Sequence, residues 1–591
     1  MDCQSENSAC RNQILDLRFN GKLNREISLK FNKIAYHLRA EFNNVVAELS
    51  IPFSDNIDWW VEGPACRNTF SSSFFHYYCC IHLLIELAKD NALDYQCIFV
   101  DSVAFKNIIE KQLEKLSYSH LLVEQKISFS LKIKGYYRQY FSVYFLLFKK
   151  CLQIFISRLS RKQSITPDIS QSLILVDTFM IPKYVNNDRW YGCLWENLEE
   201  ELKADTYFIP TLVMTPISKM NYVYKSLRSN ARNFLIKEDY LTFSDCWFSL
   251  KHWRIIKKFS IKSIKISGID ISSLIVEELK SNTDKQTVFE SLLTYRSIAR
   301  LNEKGIHVRL AIDWFEGQVI DKAWNLGFKH FYPNIKRIGY RAFESFPFYL
   351  CSYPIEAERK AGAIPDVMAV QGRETVNTVR EFLPDLDTIV IPSFKSDHVW
   401  RFKFEASKNK EFRVLVTLPI SLIYSKQIID KLIYINRELE TSSQKIQFII
   451  KPHPTYSLTE LKKTLFHDIP TQISVTAEKS LEKVLKTTDL LVTEASSTCL
   501  EAMGCGIPVV IMVNDTGLTF DPIPKKVSKI LYRKVTTTKQ FVEVIKYYTQ
   551  LSPNEMSALR NEGETVRKDY FEPITKEGIN RFMDITTEGC K

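Results

Sequence analysis

Hydrophobic and polar residues change rhythm along this chain. Through about residue 160 the apolar positions recur at three and four spacing, as in Asn20 to Ser50 and Phe74 to Lys89, which predicts helices. Near Gln171 the pattern turns into short, continuously apolar runs. SLILVDTF ends in an acidic residue and precedes a helical pattern, as a strand buried on both faces of a parallel sheet would. Thr206 to Met214, His307 to Ile312, Arg337 to Gly339, Val367 to Gln371 and Thr388 to Pro392 read alike. Strands alternating with helices imply crossover units, hence a doubly wound parallel domain over 165–392, preceded by a mainly helical N-terminal extension over 1–164. Ser393 to Glu411 is polar, charged and without a period, which predicts a linker. RVLVTLP, KIQFIIKPHP, DLLVTEASS and PVVIMVN then begin a second doubly wound series over 412–550. Ser552-Pro-Asn-Glu555 is a capping box with proline at the first helical position, so 551–591 is expected to hold a helix packing back on one of the domains.

The chain has 591 residues, 45% hydrophobic and 13% aromatic, enough for several globular cores and unlike a disordered chain. Its start is polar, with no basic region leading into an apolar one, so the protein is expected to remain inside the cell. Thirteen cysteines show no C-x-x-C spacing; the nearest pair is the adjacent Cys79 and Cys80, and they read as reduced, buried thiols. The formal charge of +11 suits anionic partners without choosing among them. Tyr136 to Lys162 is the most membrane-like stretch, but Lys149 and Lys150 interrupt it and it is too short to span a bilayer. It reads either as a basic, aromatic helix lying on an anionic membrane surface or as a core helix with snorkelling lysines. No nucleic-acid-binding pattern of basic and aromatic residues is present, so no nucleic-acid partner is expected.

Two motifs carry the candidate chemistry, each directly after a predicted parallel strand, where open sheets bind ligands. In KPHP, Pro452 and Pro454 fix the backbone, and Lys451 and His453 are placed as donors to an anion. In TEASSTCLEAMGCGIPVV, beginning at Thr493, the hydroxyls of Ser496, Ser497 and Thr498 open a helix where a phosphate fits. Thr498 and Glu501 also have the spacing of a capping box, which explains the same residues without a ligand. The pair of motifs resembles the C-terminal domain of bacterial GT-B glycosyltransferases that build capsule and lipopolysaccharide, including sialyl- and Kdo-transferase families, and of the related glycerol-phosphate polymerases. The resemblance covers mainly residues 411–545. It implies an α/β GT-B architecture of two Rossmann-like domains facing a cleft, with His453, Pro454, Glu494, Ser496, Ser497, Thr498 and Glu501 around the donor nucleotide's phosphates beside Lys451. It further implies transfer from a nucleotide-sugar, best fitted by a CMP-linked acidic sugar, to a lipid-linked or polysaccharide acceptor. The alternatives are a CDP-glycerol-type phosphotransferase and a non-catalytic GT-B-like scaffold.

Glycosyl transfer calls for a carboxylate, as base or nucleophile, usually from the opposite domain. AIDWFEGQVIDKAW offers Asp313, Glu316 and Asp321 after the strand at His307, with Glu316 first and Asp313 second; an ordinary helix start accounts for the same acids. DWWVEGPACRNTFSSSFFHYY concentrates Trp60, Glu62, Arg67 and Asn68, which fit either sugar contacts or a packed interdomain loop. Asp385 and Asp387 match D-x-D but precede a strand. Neither a metal nor a cofactor is required; the nucleotide-sugar is a co-substrate. The protein is expected in the cytoplasm, peripherally at the inner face of the membrane.

Overall fold

The computed structural model describes residues 14–584 except 20, 126–128, 162–170, 267, 282–283, 404–410, 440–444, 457, 467–468, 471, 479, 495 and 515–516, and except the side chains of 129–141, 266, 460 and 462–463. The N-terminal start, the middle of the predicted linker, and Tyr136 to Phe141 with Lys162 of the membrane-like stretch therefore lie outside the described side chains.

The first doubly wound domain is built on six parallel strands, β4 (Ser172–Met180), β5 (Thr206–Leu212), β6 (His307–Trp314), β7 (Lys336–Arg341), β8 (Val367–Val370) and β9 (Thr388–Val390). They run in the order β9-β8-β7-β6-β4-β5. The second has β10 (Phe412–Thr417), β11 (Ile446–Lys451), β12 (Ile473–Val475), β13 (Leu490–Thr493), β14 (Val509–Met512) and β15 (Tyr532–Val535), in the order β12-β11-β10-β13-β14-β15. Central strands such as β4 and β13 bury both faces, which is why their sequences are apolar without alternation. Each sheet reverses its strand order once, between β4 and β6 in the first and between β10 and β13 in the second, and such switch points open a crevice at the carboxyl ends of the strands. The molecule thus has two doubly wound parallel α/β domains whose carboxyl strand ends share a cleft, as the GT-B architecture expected from the sequence would have.

The N-terminal region is rich in helix but also holds a parallel sheet that the sequence pattern does not disclose: β1 (Ile14–Asp16), β2 (Cys97–Val100) and β3 (Leu122–Gln125). Strands of three or four residues are too short to show a period. Helices α1 (Arg25–Ser50), α2 (Phe74–Lys89) and α3 (Val103–Lys115) cover this sheet, and the long α4 (Phe129–Leu159) packs instead against α5 (Ile217–Arg228) and α6 (Phe243–Ile255) of the first domain. The N-terminal unit also touches the second domain, where Asn32 on α1 donates to Gly517 O at 2.9 Å and accepts from Thr519 N at 2.8 Å. Among the described residues no helix is long and apolar enough to cross a membrane.

Further helices are α7 (Ser272–Ser281), α8 (Lys285–Glu303), α9 (Val319–Phe331), α10 (Leu422–Leu439), α11 (Thr498–Gly504) and α12 (Thr538–Thr549). The C-terminal helix α13 (Pro553–Tyr570) caps with Ser552 and Glu555 and packs Leu559, Val566 and Tyr570 into the second domain's core. The chain then crosses to the first domain, where α14 (Lys576–Phe582) buries Ile579 and Phe582 against Tyr340 and Phe394.

The N-terminal unit is fastened to the first domain by buried charge. Arg67 is fully enclosed, donating to Asn43, the carbonyls of Leu350 and Tyr353, and Glu358 at 2.8 Å. His252 on α6 sits between Asp58 and Glu62, 2.6 Å from each. Burial alone would lower its pKa, but the two carboxylates outweigh that and hold it near 9. The folded value exceeds the unfolded 6.5, so this stabilisation is complete below pH 6.5 and is lost as pH rises through 9. Urea unfolding of the full chain from pH 6 to 9.5 is expected to show that loss in its first transition. His252→Gln is expected to abolish the slope and to cost roughly 3 kcal/mol at pH 6, because it strands two buried carboxylates.

Candidate functional site

The two switch points face each other. In the first domain β4 leads into a tight turn, Pro182–Tyr184, followed by Arg189, which stacks on the rings of Tyr184 and Trp190 at 5.6 and 5.1 Å. Lys183 in that turn reaches across to the carbonyl of Pro454, the last residue of KPHP. Lys451 ends β11 and His453 follows it, so the KPHP motif lies at a carboxyl strand end beside the second switch point.

His453 records the field in this crevice. Burial and then the charges of Arg189, Lys183, Lys395 and Lys451 push its pKa down to about 4, so the ring is neutral at pH 7. Thr455 N–H, which can only donate, points at Nδ1 at 3.3 Å, with the Thr455 hydroxyl 2.7 Å away. Nδ1 is therefore the acceptor and Nε2 carries the proton, leaving a neutral N–H donor amid four cations. Lys395 lies 5.2 Å from the Trp314 ring centre; burial lowers its pKa, Arg189 does the same, and Glu501 and Glu316 oppose both. Lys451 donates to Glu478 O at 2.8 Å and is likewise lowered by burial. Partly dehydrated cations around a neutral donor suit a multiply charged phosphate or diphosphate.

The serine turn completes the second domain's side. Ser497 is the N-cap of α11 and its side chain makes no cap bond, while Ser496 Oγ accepts from Thr498 N at 3.3 Å and lies 2.8 Å from the Thr498 hydroxyl. The Thr498–Glu501 capping box suggested by the spacing does not form. Glu501 turns instead toward His398, 3.1 Å away. Burial opposes a charged His398, but the Glu501 carboxylate outweighs it and raises the histidine's pKa. Glu494 is buried at the end of β13 and its carbonyl accepts from Ser496 N at 3.1 Å, so it supports the turn from below.

Across the cleft the structure separates the three acids. Strand β6 runs to Trp314, so Asp313 lies inside the sheet and not after it. It faces Asn325 at 2.9 Å, is fully buried, and burial with the nearby Asp177 charge pushes its pKa well up. Asp321 is also buried and accepts from the backbone N–H groups of Glu316 and Gln318 at 2.8 and 2.9 Å, shaping the loop. Glu316 is half-buried, and its carboxylate accepts from Trp314 Nε1 at 2.7 Å and the Tyr349 hydroxyl at 3.3 Å. Its charge acts on both Arg189 and Lys395, which places it in the same crevice as His453. Gly317 has φ +77°, and any Cβ there would fall 1.8 Å from Cys351 O, so the loop can seat Glu316 only with glycine behind it.

The aromatic stretch of the N-terminal unit is placed elsewhere. Trp60 is enclosed with its indole on Ser54 O at 2.8 Å, Glu62 holds His252, and Arg67 fastens Glu358, so these three are structural. Asn68 donates to Gln318 at 2.8 Å, one side chain away from Glu316. Asp385 pairs with Arg359 at 2.8 Å at the amino end of β9, on the side of the sheet away from the cleft. Among the described residues no group of His, Cys, Asp and Glu is arranged to hold a metal. Sequence reasoning missed Lys183, Arg189, Lys395 and His398. Lys183 follows a carboxyl strand end at a switch point and was findable by that rule, whereas Lys395 and His398 lie in the expected linker and come to the site only through the chain crossing.

No protein-family profile and no curated protein sequence matches this chain. Solved structures do resemble it. The S. aureus MnaA–UDP complex shares 10% identity, with TM-score 0.42, over 71% of this chain and 98% of that one. Acinetobacter baumannii MurG shares 11%, with TM-score 0.36, over 70% and 99%. Anabaena Alr3699/HepE in complex with UDP shares 9%, with TM-score 0.38, over 70% and 98%.

An anion seated among these cations would raise the depressed pKa of His453. Sulfate keeps its double charge across this range, so its affinity for the full chain is expected to strengthen as pH falls from 6.5 toward 4, with proton uptake measurable by calorimetry in two buffers. His453→Gln is expected to remove both the pH trend and the uptake.

Proposed function

We propose that this protein is a glycosyltransferase that moves a sugar from a nucleotide-activated donor to a lipid-linked or polysaccharide acceptor at the inner face of the cell membrane. The observation that carries this reading is the convergence of Lys183, Arg189, Lys395 and Lys451 on the neutral His453, opposite the half-buried Glu316. The donor's phosphates would lie among the cations, with the Nε2–H of His453 and the hydroxyls of Ser497 and Thr498 as uncharged donors. Glu316, oriented by Trp314 and Tyr349, would accept the proton of the acceptor hydroxyl. As that oxygen bonds to the anomeric carbon, the bond from carbon to phosphate oxygen breaks, and the charge left on the phosphate falls where the cations already stand. Nothing has to move to meet it, which is the physical advantage of preorganisation.

A CMP-linked acidic sugar is the donor we favour, on the resemblance of the two C-terminal motifs; a CDP-linked glycerol phosphate would use the same cradle. Thermal shift of the full chain with CMP, CDP, UDP, GDP and dTDP is expected to single out a cytidine nucleotide. Stabilisation by about 2.7 kcal/mol corresponds to a hundredfold excess over Kd. His453→Ala is expected to weaken that binding by about 1–3 kcal/mol. Glu316→Gln should leave nucleotide binding intact and lower transfer by about a hundredfold or more. A nucleotide response without any transfer in Glu316-intact protein would favour a scaffold, and no response to any nucleotide would remove the reading altogether.

A further inference from the structure

We infer that α4 and α6 together form a face that docks the first domain onto an anionic lipid bilayer, lying in the headgroup plane without crossing it. From Ser142 onward helix α4 has one buried side and one outward side. Inward, Lys150 pairs with Glu290, Gln153 donates to Glu238 at 2.7 Å and to the Tyr224 hydroxyl at 2.9 Å, and Ser157 donates to Asp239 at 2.7 Å. These buried polar bonds fix the helix rigidly to the domain. Outward, Tyr144, Phe145, Phe148, Phe155 and Leu159 are 60, 53, 60, 51 and 68% exposed. At 100° per residue these five fall within about a 100° arc, a continuous apolar stripe directed away from the protein.

The neighbouring helix extends the stripe. Cys151 on α4 lies against Cys246 on α6, and on α6 the exposed Phe243 and Trp247 share a face with Lys251 and Arg254. Lys149 and Arg158 border the apolar stripe on α4, the exposed Arg161 follows the end of the helix, and no Asp or Glu occurs in the sequence from 125 to 167. An exposed apolar stripe with basic borders and no acidic residue matches the interfacial plane of a membrane, where rings enter the acyl boundary and cations meet anionic headgroups. A protein partner would need matching acidic groups at the borders only, whereas a bilayer supplies negative charge all round the stripe. The inference does not rest on the proposed sugar transfer, since none of these residues faces the cleft.

The test is co-sedimentation of the full chain with phosphatidylcholine vesicles and with vesicles in which part of that lipid is replaced by phosphatidylglycerol. Binding is expected to the anionic vesicles only and to weaken with salt. Phe148→Ser with Phe155→Ser, and separately Arg161→Glu with Lys251→Glu, should each weaken it by about tenfold or more while leaving the thermal midpoint and any nucleotide shift unchanged, since all four side chains are exposed. Absence of binding to anionic vesicles, or binding that neither pair of substitutions weakens, would overturn the inference. So would a solution dimer that Phe148→Ser with Phe155→Ser converts to monomer, because the stripe would then belong to a second copy.

Discussion

The cleft is held by a junction of three strands of chain. Glu572 donates its backbone N–H to Gln371 O at 2.6 Å, and its own carbonyl accepts from Ser393 N at 2.9 Å. Gln371 ends a strand run of the first domain, Ser393 begins the outward crossing to the second, and Glu572 lies on the return crossing. A Cβ on Gly372 would fall 2.4 Å from the Tyr570 backbone, so only glycine admits this approach. Two crossings tied by backbone hydrogen bonds restrict how the sheets can turn, and they keep both sets of carboxyl strand ends aimed at one space. Lys183 bonding to Pro454 O and Lys395 facing Glu316 both depend on that relation.

Charge is managed in opposite ways in two parts of the molecule. Inside the first domain, Lys150 and Lys237 meet Glu290, and Glu290 is held down to about 2 because, although burial opposes it, the two lysines prevail. Those ions are mutually satisfied and serve as fasteners. In the cleft, four cations surround His453 while Glu316, Glu501 and Glu478 act on members of that group, and burial together with the cations leaves the histidine without its proton. An excess of positive charge of this kind disfavours the empty site and is relieved by an anion, which connects the electrostatics to the proposed nucleotide donor.

How far the sequence could be read depended on strand length and burial. The central strands of both sheets were legible because burial on both faces makes them continuously apolar even where they are only four residues long, and the motifs behind β11 and β13 were legible because they sit directly after such strands. The edge strands β12 and β15 were not, being short and partly polar, nor was the sheet of the N-terminal unit, whose short strands stand among helical patterns. Asp313 reads from the sequence as lying after its strand because the apolar run stops at Ile312, whereas the strand continues two residues further, through Trp314. Trp60, Glu62 and Arg67 looked like ligand contacts because buried structural charge and sugar-binding residues share the same residue types.

The sequence by itself determined two parallel α/β domains, the carboxyl strand ends at which Lys451, His453 and the serine turn must lie, and a basic aromatic helix without acids. Periodicity and strand-end position are local properties, so one chain suffices to state them. Only the tertiary structure decided that Glu316 alone of three acids borders the cleft, that Lys183, Arg189 and Lys395 join His453, and which side of α4 faces outward. Those outcomes depend on contacts between segments far apart in the chain, and their energies are set by burial and charge that no local pattern encodes.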